Sequence, residues 1–349
     1  MFTIKKAIAI IFLSSTTFAC SSGGGGGDET ATEAFIDPAT CVFPGTSVAL
    51  TTANAESVVS LVKNAIQAAL GFANTASVFI DLNNEMFPSN PFIAACDISG
   101  QATITANTDV APLTVVSQGD VLSTTFSDCA YFGATINSGS FETTFNDVTE
   151  VNVGEAGTVA GNNWAFTITG NADNLRASDS NINVAVDGDV QPFVSYFAAG
   201  VILQSRAEIS TLTFADNSAE CTRIETVSIA STATNVSTNP AAYSLVVSSG
   251  TPFSMNSTEL GGTVSVGTQG ASPFGGMENL FDNALGEIGD YFVELDDMTP
   301  PTSGVLEITG NASNIVVTVM SGGMVQIEVD EDLGMVGFEA TINTTWDAL

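Results

Sequence analysis

The sequence predicts an all-β protein: a long antiparallel meander forming a barrel, a half-barrel or a two-sheet sandwich, with one or two packed helices. From Cys96 onwards, short runs rich in Thr and Val alternate apolar with polar residues. Gly-Asp, Ser-Asp and Asn-Ser-Gly sequences separate these runs about every 8 to 12 residues, a spacing typical of meanders. A sheet of this kind has one buried face and one solvated face.

The chain begins with a segment that has the composition of a secretory signal. Lys5 and Lys6 precede the apolar run 7–13, which is too short to cross a bilayer because crossing takes about 20 residues. A cysteine at the cut position, Cys20, resembles the lipobox of bacterial lipoprotein signals, although Thr17 stands where that family usually has Leu. The resemblance implies cleavage before Cys20 and lipidation of its thiol. The alternative is an ordinary secretory signal with a cysteine at its cleavage site.

Three regions follow from this assignment. Residues 1–19 are the predicted signal peptide, 20–38 are the lipidated cysteine and a Gly-rich flexible tether, and 39–349 are the β-rich domain. Ser21 stands where enterobacterial lipoproteins that stay in the inner membrane have Asp. That resemblance implies an outer-membrane lipoprotein of the cell envelope, on its periplasmic or its surface side, with the membrane as its partner through the lipid.

The charge of the chain is strongly negative. After the leader, four basic residues remain against 38 acidic ones, giving a net charge of −34; the four are Lys63, Arg176, Arg206 and Arg223. Such a surface repels phosphate backbones, which argues against nucleic-acid binding. Solvated carboxylates explain the composition, and calcium capture is the alternative.

The chain contains no histidine. This excludes Ser-His and Cys-His nucleophile pairs and removes the commonest zinc ligand and general base. The sequence therefore predicts a protein that is not an enzyme and needs no cofactor. Paired carboxylates, as in glycoside hydrolysis, remain formally possible.

Two segments have apolar residues at helical spacing. The first spans 55–70, where Asn54 is a candidate N-cap and Gly71 a candidate C-cap. We expect this helix to pack on the sheet, with partner binding as the alternative. The second is Met277 to Ile288, weakened by internal glycines.

Alternating runs predict the strands. They lie at 102–105, 113–116, 121–126, 134–136, 141–145, 164–168, 182–186, 209–214, 224–229, 243–247, 305–308, 315–320, 325–329 and 338–346. Between them is an apolar stretch, 193–197 with 201–203. We interpret it as two strands buried on both faces, and a lipid- or ligand-facing surface is the alternative.

Four cysteines remain after Cys20, and an even number in an exported chain implies disulfides with three possible connectivities. If Gly119-Asp120 turns the chain between neighbouring strands, Cys96 and Cys129 lie on opposite flanks of one small sheet, close enough to form a disulfide. Elimination then joins Cys41 to Cys221. A bridge closing about 33 residues contributes roughly 3 to 4 kcal/mol.

The same stretch resembles a loose group of uncharacterised β-rich bacterial lipoproteins. These have a cysteine, a Gly-Asp turn about twenty residues later, and a Phe-Ser/Asn-x-Cys ending, which here is Phe126-Ser127-Asp128-Cys129. The resemblance supports the Cys96–Cys129 pairing and brings no known activity.

A seven-residue sequence occurs twice. Ile168–Asn174 matches Ile308–Asn314 at six of seven positions, and each copy runs on to an acidic sequence, 186–189 or 329–332. We interpret the two copies as a duplicated strand-turn-strand-turn unit, at about 157–190 and 300–349. Independent use of the same turn residues is the alternative.

The strongest metal candidate is the acidic sequence near the C-terminus. Asp330 and Asp332 alternate, Gly334 follows, and Glu339 comes soon after. Calcium loops space oxygen ligands in this way because the ion takes six to eight oxygens. The interpretation without a metal is an acidic hairpin turn. Asp187-Gly188-Asp189 is a weaker candidate.

Three functional hypotheses follow. The first is a non-enzymatic, membrane-anchored envelope lipoprotein with a structural, adhesive or envelope-maintenance role. The second is a carrier that binds an apolar ligand between a curved sheet and the helix at 55–70. The third is a carboxylate-based glycosidase with two acids facing each other in a cleft.

Overall fold

A computed structural model describes most of the chain after the tether. The described ranges are 35–78, 90–96, 98–107, 118–131, 134–147, 159, 162–178, 183–216, 220–269, 272–282, 287–293, 295, 299–333 and 337–349. The predicted signal peptide, Cys20, most of the tether and the predicted strand at 113–116 lie outside these ranges.

One α-helix and many strands make up the described chain. The helix α1 spans Ala55–Val78, and short 3₁₀ segments lie at Pro38–Thr40, Ser321–Gly323 and Trp346–Ala348. The strands are β1 Phe92–Ala95, β2 Ser99–Ala106, β3 Val121–Tyr131, β4 Ala134–Asp147, β5 Trp164–Ser178, β6 Asn183–Phe197, β7 Ile202–Asp216, β8 Cys221–Thr234, β9 Ala241–Val247, β10 Phe253–Ser257, β11 Gly262–Thr268, β12 Phe274–Glu278, β13 Phe281–Asp282, β14 Glu287–Ile288, β15 Gly304–Thr309, β16 Asn314–Met320, β17 Met324–Asp330 and β18 Ala340–Thr345.

The strands form a 16-stranded antiparallel sheet, with β13 and β14 as a separate pair. The order runs β1 to β8 without interruption and continues through β10, β11 and β15 to β18. One half of β8 pairs with β10 and the other half with β9, which carries β12 on its far side. In the described ranges the sheet stays open between β1 and β18. The predicted all-β class is confirmed.

The sheet curls around α1. The helix contacts β5, β6, β7 and β8, and it also contacts β17, which lies far away in the strand order. From Val62 to Ser77 every side chain except Ala68 is buried. Strands from distant parts of one sheet can surround a single helix only if the sheet is strongly curved, so α1 is a central helix and not a surface one.

The predicted helix is confirmed, but its predicted ends need correction. It continues through Gly71 to Val78, because burial on all sides outweighs the cost of about 1 kcal/mol for a helical glycine. Asn54 accepts the backbone N–H of Val58 with its carbonyl. Its side chain instead accepts a hydrogen bond from the N–H of Thr51 at 2.8 Å, so it stabilises the turn before α1.

Residues 35–52, which we call the N-terminal strap, lead to α1 across the opposite face of the sheet. The 3₁₀ segment Pro38–Thr40 contacts β6 and β7. Further contacts follow in strand order: Cys41 with Cys221 of β8, Phe43 with Arg223 of β8, Pro44 with Asn256 of β10 and Ser47 with Thr263 of β11. The strap therefore crosses the strands before the chain enters the interior.

Both predicted disulfides are present. Cys96, which follows the last residue of β1, and Cys129 of β3 have their Cα atoms 5.3 Å apart, and Cys41 and Cys221 have theirs 6.1 Å apart. The turn at Gly119 precedes β3, as predicted. The first bridge closes one edge of the sheet, and the second fixes the N-terminal strap to β8.

The Asn-Ser-Gly sequence at 137–139 is not a turn. The predicted strands 134–136 and 141–145 are one continuous strand, β4, with register shifts at Ser138. Gly139 has φ +102°, and a Cβ there would lie 2.4 Å from the carbonyl oxygen of Asn174. Glycine therefore permits a β-bulge here, a conformation that shares its residue preferences with a turn.

The second predicted helix is wrong. Within 277–288 the structure has the end of β12, β13 and β14. Residues 274–278 pair with β9 instead, placing Met277 opposite Ala242. A strand edge with unpaired backbone groups requires partners, and that requirement overrides a short helical pattern weakened by glycine.

The apolar stretch 193–203 is buried on one face only. Val194 and Tyr196 are buried against the interior, whereas Phe193 and Phe197 are exposed on the other face. The prediction of two fully buried strands is therefore wrong, because the stretch is the end of a hairpin between β6 and β7 with only one covered face.

The two copies of the repeated sequence have different structures. Ile168–Asn174 lies inside β5 and forms a bulge, with Asn174 at φ +45°. Ile308–Asn314 forms the turn between β15 and β16. The acidic sequence 187–189 lies within β6, whereas 330–332 ends β17 and begins a loop. The strand-turn-strand structure predicted for both copies is found only in the second.

Candidate functional sites

The polar side of α1 faces backbone groups inside the sheet. Asn74 donates to the carbonyl of Phe292 at 2.9 Å and accepts from its N–H at 2.6 Å. Gln67 donates to the carbonyl of Leu295. Residues 67 and 74 are two helical turns apart, so the two side chains lie on the same side of α1. This side of the helix therefore supplies hydrogen-bond partners to the backbone of an irregular segment, which in the described chain pairs with no strand there.

That buried segment is Tyr291–Val293 with Leu295. All four of its residues are at most 1% exposed. The hydroxyl of Ser205 on β7 donates to the carbonyl of Tyr291. The Tyr291 ring meets Trp164 and Phe166 edge to face, with centroids 6.0 and 5.5 Å away. The chain's own residues thus occupy the space between helix and sheet where the carrier hypothesis places a ligand.

Lys63 is a buried cation on the same helix and is 3% exposed. Its Nζ donates to the carbonyl of Trp346 at 2.8 Å and lies 5.3 Å from the centre of that ring. The pKa of the nearby Asp347 is lowered, chiefly by the Thr345 hydroxyl and also by the charge of Lys63. Lys63 therefore links the C-terminal residues to α1.

The predicted calcium ligands come together. One carboxylate oxygen from each of Asp330, Asp332 and Glu339 lies within 4.8 Å of the others. Asp330 accepts the N–H groups of Asp332 and Leu333, at 3.2 and 2.8 Å. Glu339 accepts the N–H of Glu331 at 2.8 Å. These hydrogen bonds suffice to build an acidic loop, and the cluster is exposed or half-exposed.

The structure brings together one oxygen from each of three carboxylates, fewer than the six to eight that calcium takes, so any calcium binding here is expected in the millimolar range of extracellular modules. For such a site, several millimolar calcium is expected to raise the melting temperature more than the same concentration of magnesium does. Asp332→Asn is expected to abolish this calcium-dependent rise. The matched control is Asp189→Asn, which replaces an acid on β6 and is expected to keep the rise. Identical melting curves with calcium and with chelator would contradict calcium binding and favour the interpretation as an acidic loop held by its own hydrogen bonds.

The weaker candidate, Asp187 and Asp189, lies on the face covered by the N-terminal strap. Burial raises the pKa of Asp187, while the backbone N–H of Asn174 lowers it and the charges of Asp37 and Asp173 raise it further. Asp187 accepts the hydrogen bond that closes the β5 bulge. Its role is therefore structural.

A glycosidase needs two carboxylates in a cleft. Among the described residues, Glu278 is the one buried carboxylate. Its oxygens accept from the N–H of Asn279 at 2.8 Å and from the hydroxyl of Thr299 at 2.9 Å. The clustered acids at 330–339 lie on a loop outside the interior, so the geometry of the described chain offers the glycosidase hypothesis little support.

No protein-family model, curated protein or solved structure matches this chain. Across the described ranges, none of the helices combines the length and apolarity that a membrane span requires.

Proposed function

We propose that this protein is a non-enzymatic lipoprotein, anchored to the outer membrane of a bacterial envelope through Cys20, with a structural, adhesive or envelope-maintenance role. The observation that carries the proposal is the disulfide between Cys41 and Cys221. It fixes the N-terminal strap to the sheet 21 residues after the predicted lipid site. Disulfides persist in oxidising compartments, which fits an exported chain.

The packing of the interior supports a binding or scaffolding role over a carrier role. The inner face of the sheet is covered by α1 and by Tyr291–Val293 with Leu295, which buried side chains of α1 and β7 hold by hydrogen bonds. The surfaces left for partners are the loops, the rims of the sheet and the outer face, by which we mean the face turned away from α1, where the N-terminal strap does not cover it. A rigid body of this kind suits adhesion or envelope maintenance.

Growth with an alkyne-bearing fatty acid tests the anchor. The wild-type chain is expected to take up the label and fractionate with membranes, because Cys20 is the one cysteine outside the two disulfides. Cys20→Ser is expected to lose the label and to leave the membrane fraction. Its two disulfides, counted by mass spectrometry after alkylation, confirm that it has folded. An unlabelled wild-type chain with an unmodified N-terminus would disprove the anchor.

A further inference from the structure

One region of the outer face is apolar and exposed. Phe193, Phe197 and Met277 are 37%, 42% and 46% exposed, and Ile202 is half-buried beside Phe197. Together with Arg206 we call these residues the outer patch. The strand register places Phe197, Ile202 and Met277 in one row across β6 to β12, at the rim of the sheet. Phe193 lies four residues, or two outward-facing rows, further from the rim.

The outer patch contains no carboxylate. The outward positions in its three rows, from β5 to β12, are otherwise Ala, Gly, Ser, Thr, Val or Gln. The nearest acids beyond them are Glu208, two residues after Arg206 on β7, and Asp147 on β4, which stands opposite Thr167 of β5. In a chain with 38 acidic residues, a region of this size without one is a marked departure from the rest of the sequence. Depletion of acids together with aromatic and Met side chains is typical of protein interfaces, and apolar side chains beside a basic one are typical of surfaces that lie on a membrane.

Arg206 adds the opposite charge. It is one of four basic residues after the leader, and its side chain is exposed. The other three contact their surroundings: Lys63 the carbonyl of Trp346, Arg176 the side chain of Asn174, and Arg223 Glu225. Within the described chain, Arg206 has neither an ion pair nor a side-chain hydrogen bond. It stands opposite Phe193 in the register of β6 and β7.

We propose that the outer patch is the face that lies against a phospholipid bilayer, an inference that depends on the proposed membrane anchor. A body with a charge of −34 is repelled by lipid phosphates, least so where it carries no carboxylate. Arg206 is placed to bind a lipid phosphate, which is a strong charge-assisted interaction. Phe193, Phe197, Ile202 and Met277 supply the apolar groups that enter the headgroup region to about 5–10 Å.

The anchor is long enough to allow this orientation. The described chain begins at Phe35, whose ring lies 5.9 Å from the guanidinium carbon of Arg176 on β5. Thr167, opposite Phe193, lies nine residues back along the same strand, about 30 Å away. The 15 residues from Cys20 to Ala34 span up to about 50 Å when extended. A lipid at Cys20 can therefore share a bilayer with the outer patch.

Brominated phosphatidylcholine vesicles test the contact. The mature chain is held on the vesicles by a histidine tag at its N-terminus and a nickel-chelating lipid, so that the orientation is measured independently of acylation. Phe197→Trp reports on the outer patch. Leu333→Trp is the matched control, because Leu333 is also apolar and exposed but lies at the opposite end of the sheet. The natural Trp164 and Trp346 are buried and give the background.

Bromine atoms in the upper acyl chain are expected to quench about half of the added emission of Phe197→Trp and little of that of Leu333→Trp. Adding Arg206→Glu to Phe197→Trp is expected to reduce the quenching, and Arg206→Lys to preserve it. Equal quenching at both positions, or none at position 197, would overturn the proposal even if Cys20 is acylated. Protection of position 197 by a co-purifying protein in native membranes, without lipid quenching, would assign the outer patch to a protein partner instead.

Discussion

Replacing Cys41 and Cys221 together by serine is expected to lower the free energy of unfolding by about 5 kcal/mol. The bridge closes a sequence separation of 180 residues, and the entropy that a crosslink removes from the unfolded chain grows with the length of the loop. It also holds the N-terminal strap, which leads into α1, across the strands. Denaturant unfolding of the folded, secreted variant measures the change, with protection of the strap from protease as a second readout.

The matched control is the double variant Cys96→Ser with Cys129→Ser. Its separation of 33 residues predicts a smaller loss, about 4 kcal/mol. Protease should then cleave near the edge strand β1 and spare the strap. If the two double variants lost equal stability, or if the control variant were cleaved in the strap, the account of the strap as a separately fixed element would be wrong.

Asn74→Leu is expected to lower the free energy of unfolding by about 2–6 kcal/mol. The variant has a similar volume, but it leaves the N–H and the carbonyl of Phe292 without their partner inside the sheet. Each buried backbone group that loses its hydrogen bond costs about 1–3 kcal/mol. Thermal and denaturant unfolding measure the loss, and hydrogen exchange at the amide of Phe292 localises it.

Asn311→Leu is the comparison for Asn74→Leu, because Asn311 is exposed in the turn between β15 and β16. It is expected to change stability by less than about 0.5 kcal/mol. Equal costs at positions 74 and 311 would mean that the segment Tyr291–Val293 does not depend on α1. A cost at position 74 without faster exchange at Phe292 would point to a general packing defect.

Much of the sheet could be predicted because its signals are local. Alternation fixes which face of a strand is buried, and the pairing of Cys96 with Cys129 follows from the consecutive antiparallel strands β1, β2 and β3. The acidic cluster was also accessible, because Asp330 and Asp332 alternate along the chain and Glu339 returns across the loop between β17 and β18. Nearness in sequence carried each of these predictions.

Features that depend on curvature could not be predicted. The polar residues of α1 suggest a solvated face, and only a sheet that wraps the helix turns Lys63 and Asn74 inward. The helical spacing of 277–288 was overridden by the edge of β9. The outer patch combines side chains from three strands, β6, β7 and β12, so the sequence could indicate only the exposure of the apolar stretch 193–197, as an alternative.

The path of the strap also determines how the protein bears tension. If the anchor pulls on the N-terminus, the pull travels through residues 35–41 and then passes covalently at Cys41 into β8, which hydrogen-bonds to neighbours on both sides. The segment beyond Cys41, with α1, is thereby spared. A force on the anchor would have to shear long strands past one another before the central helix could unfold.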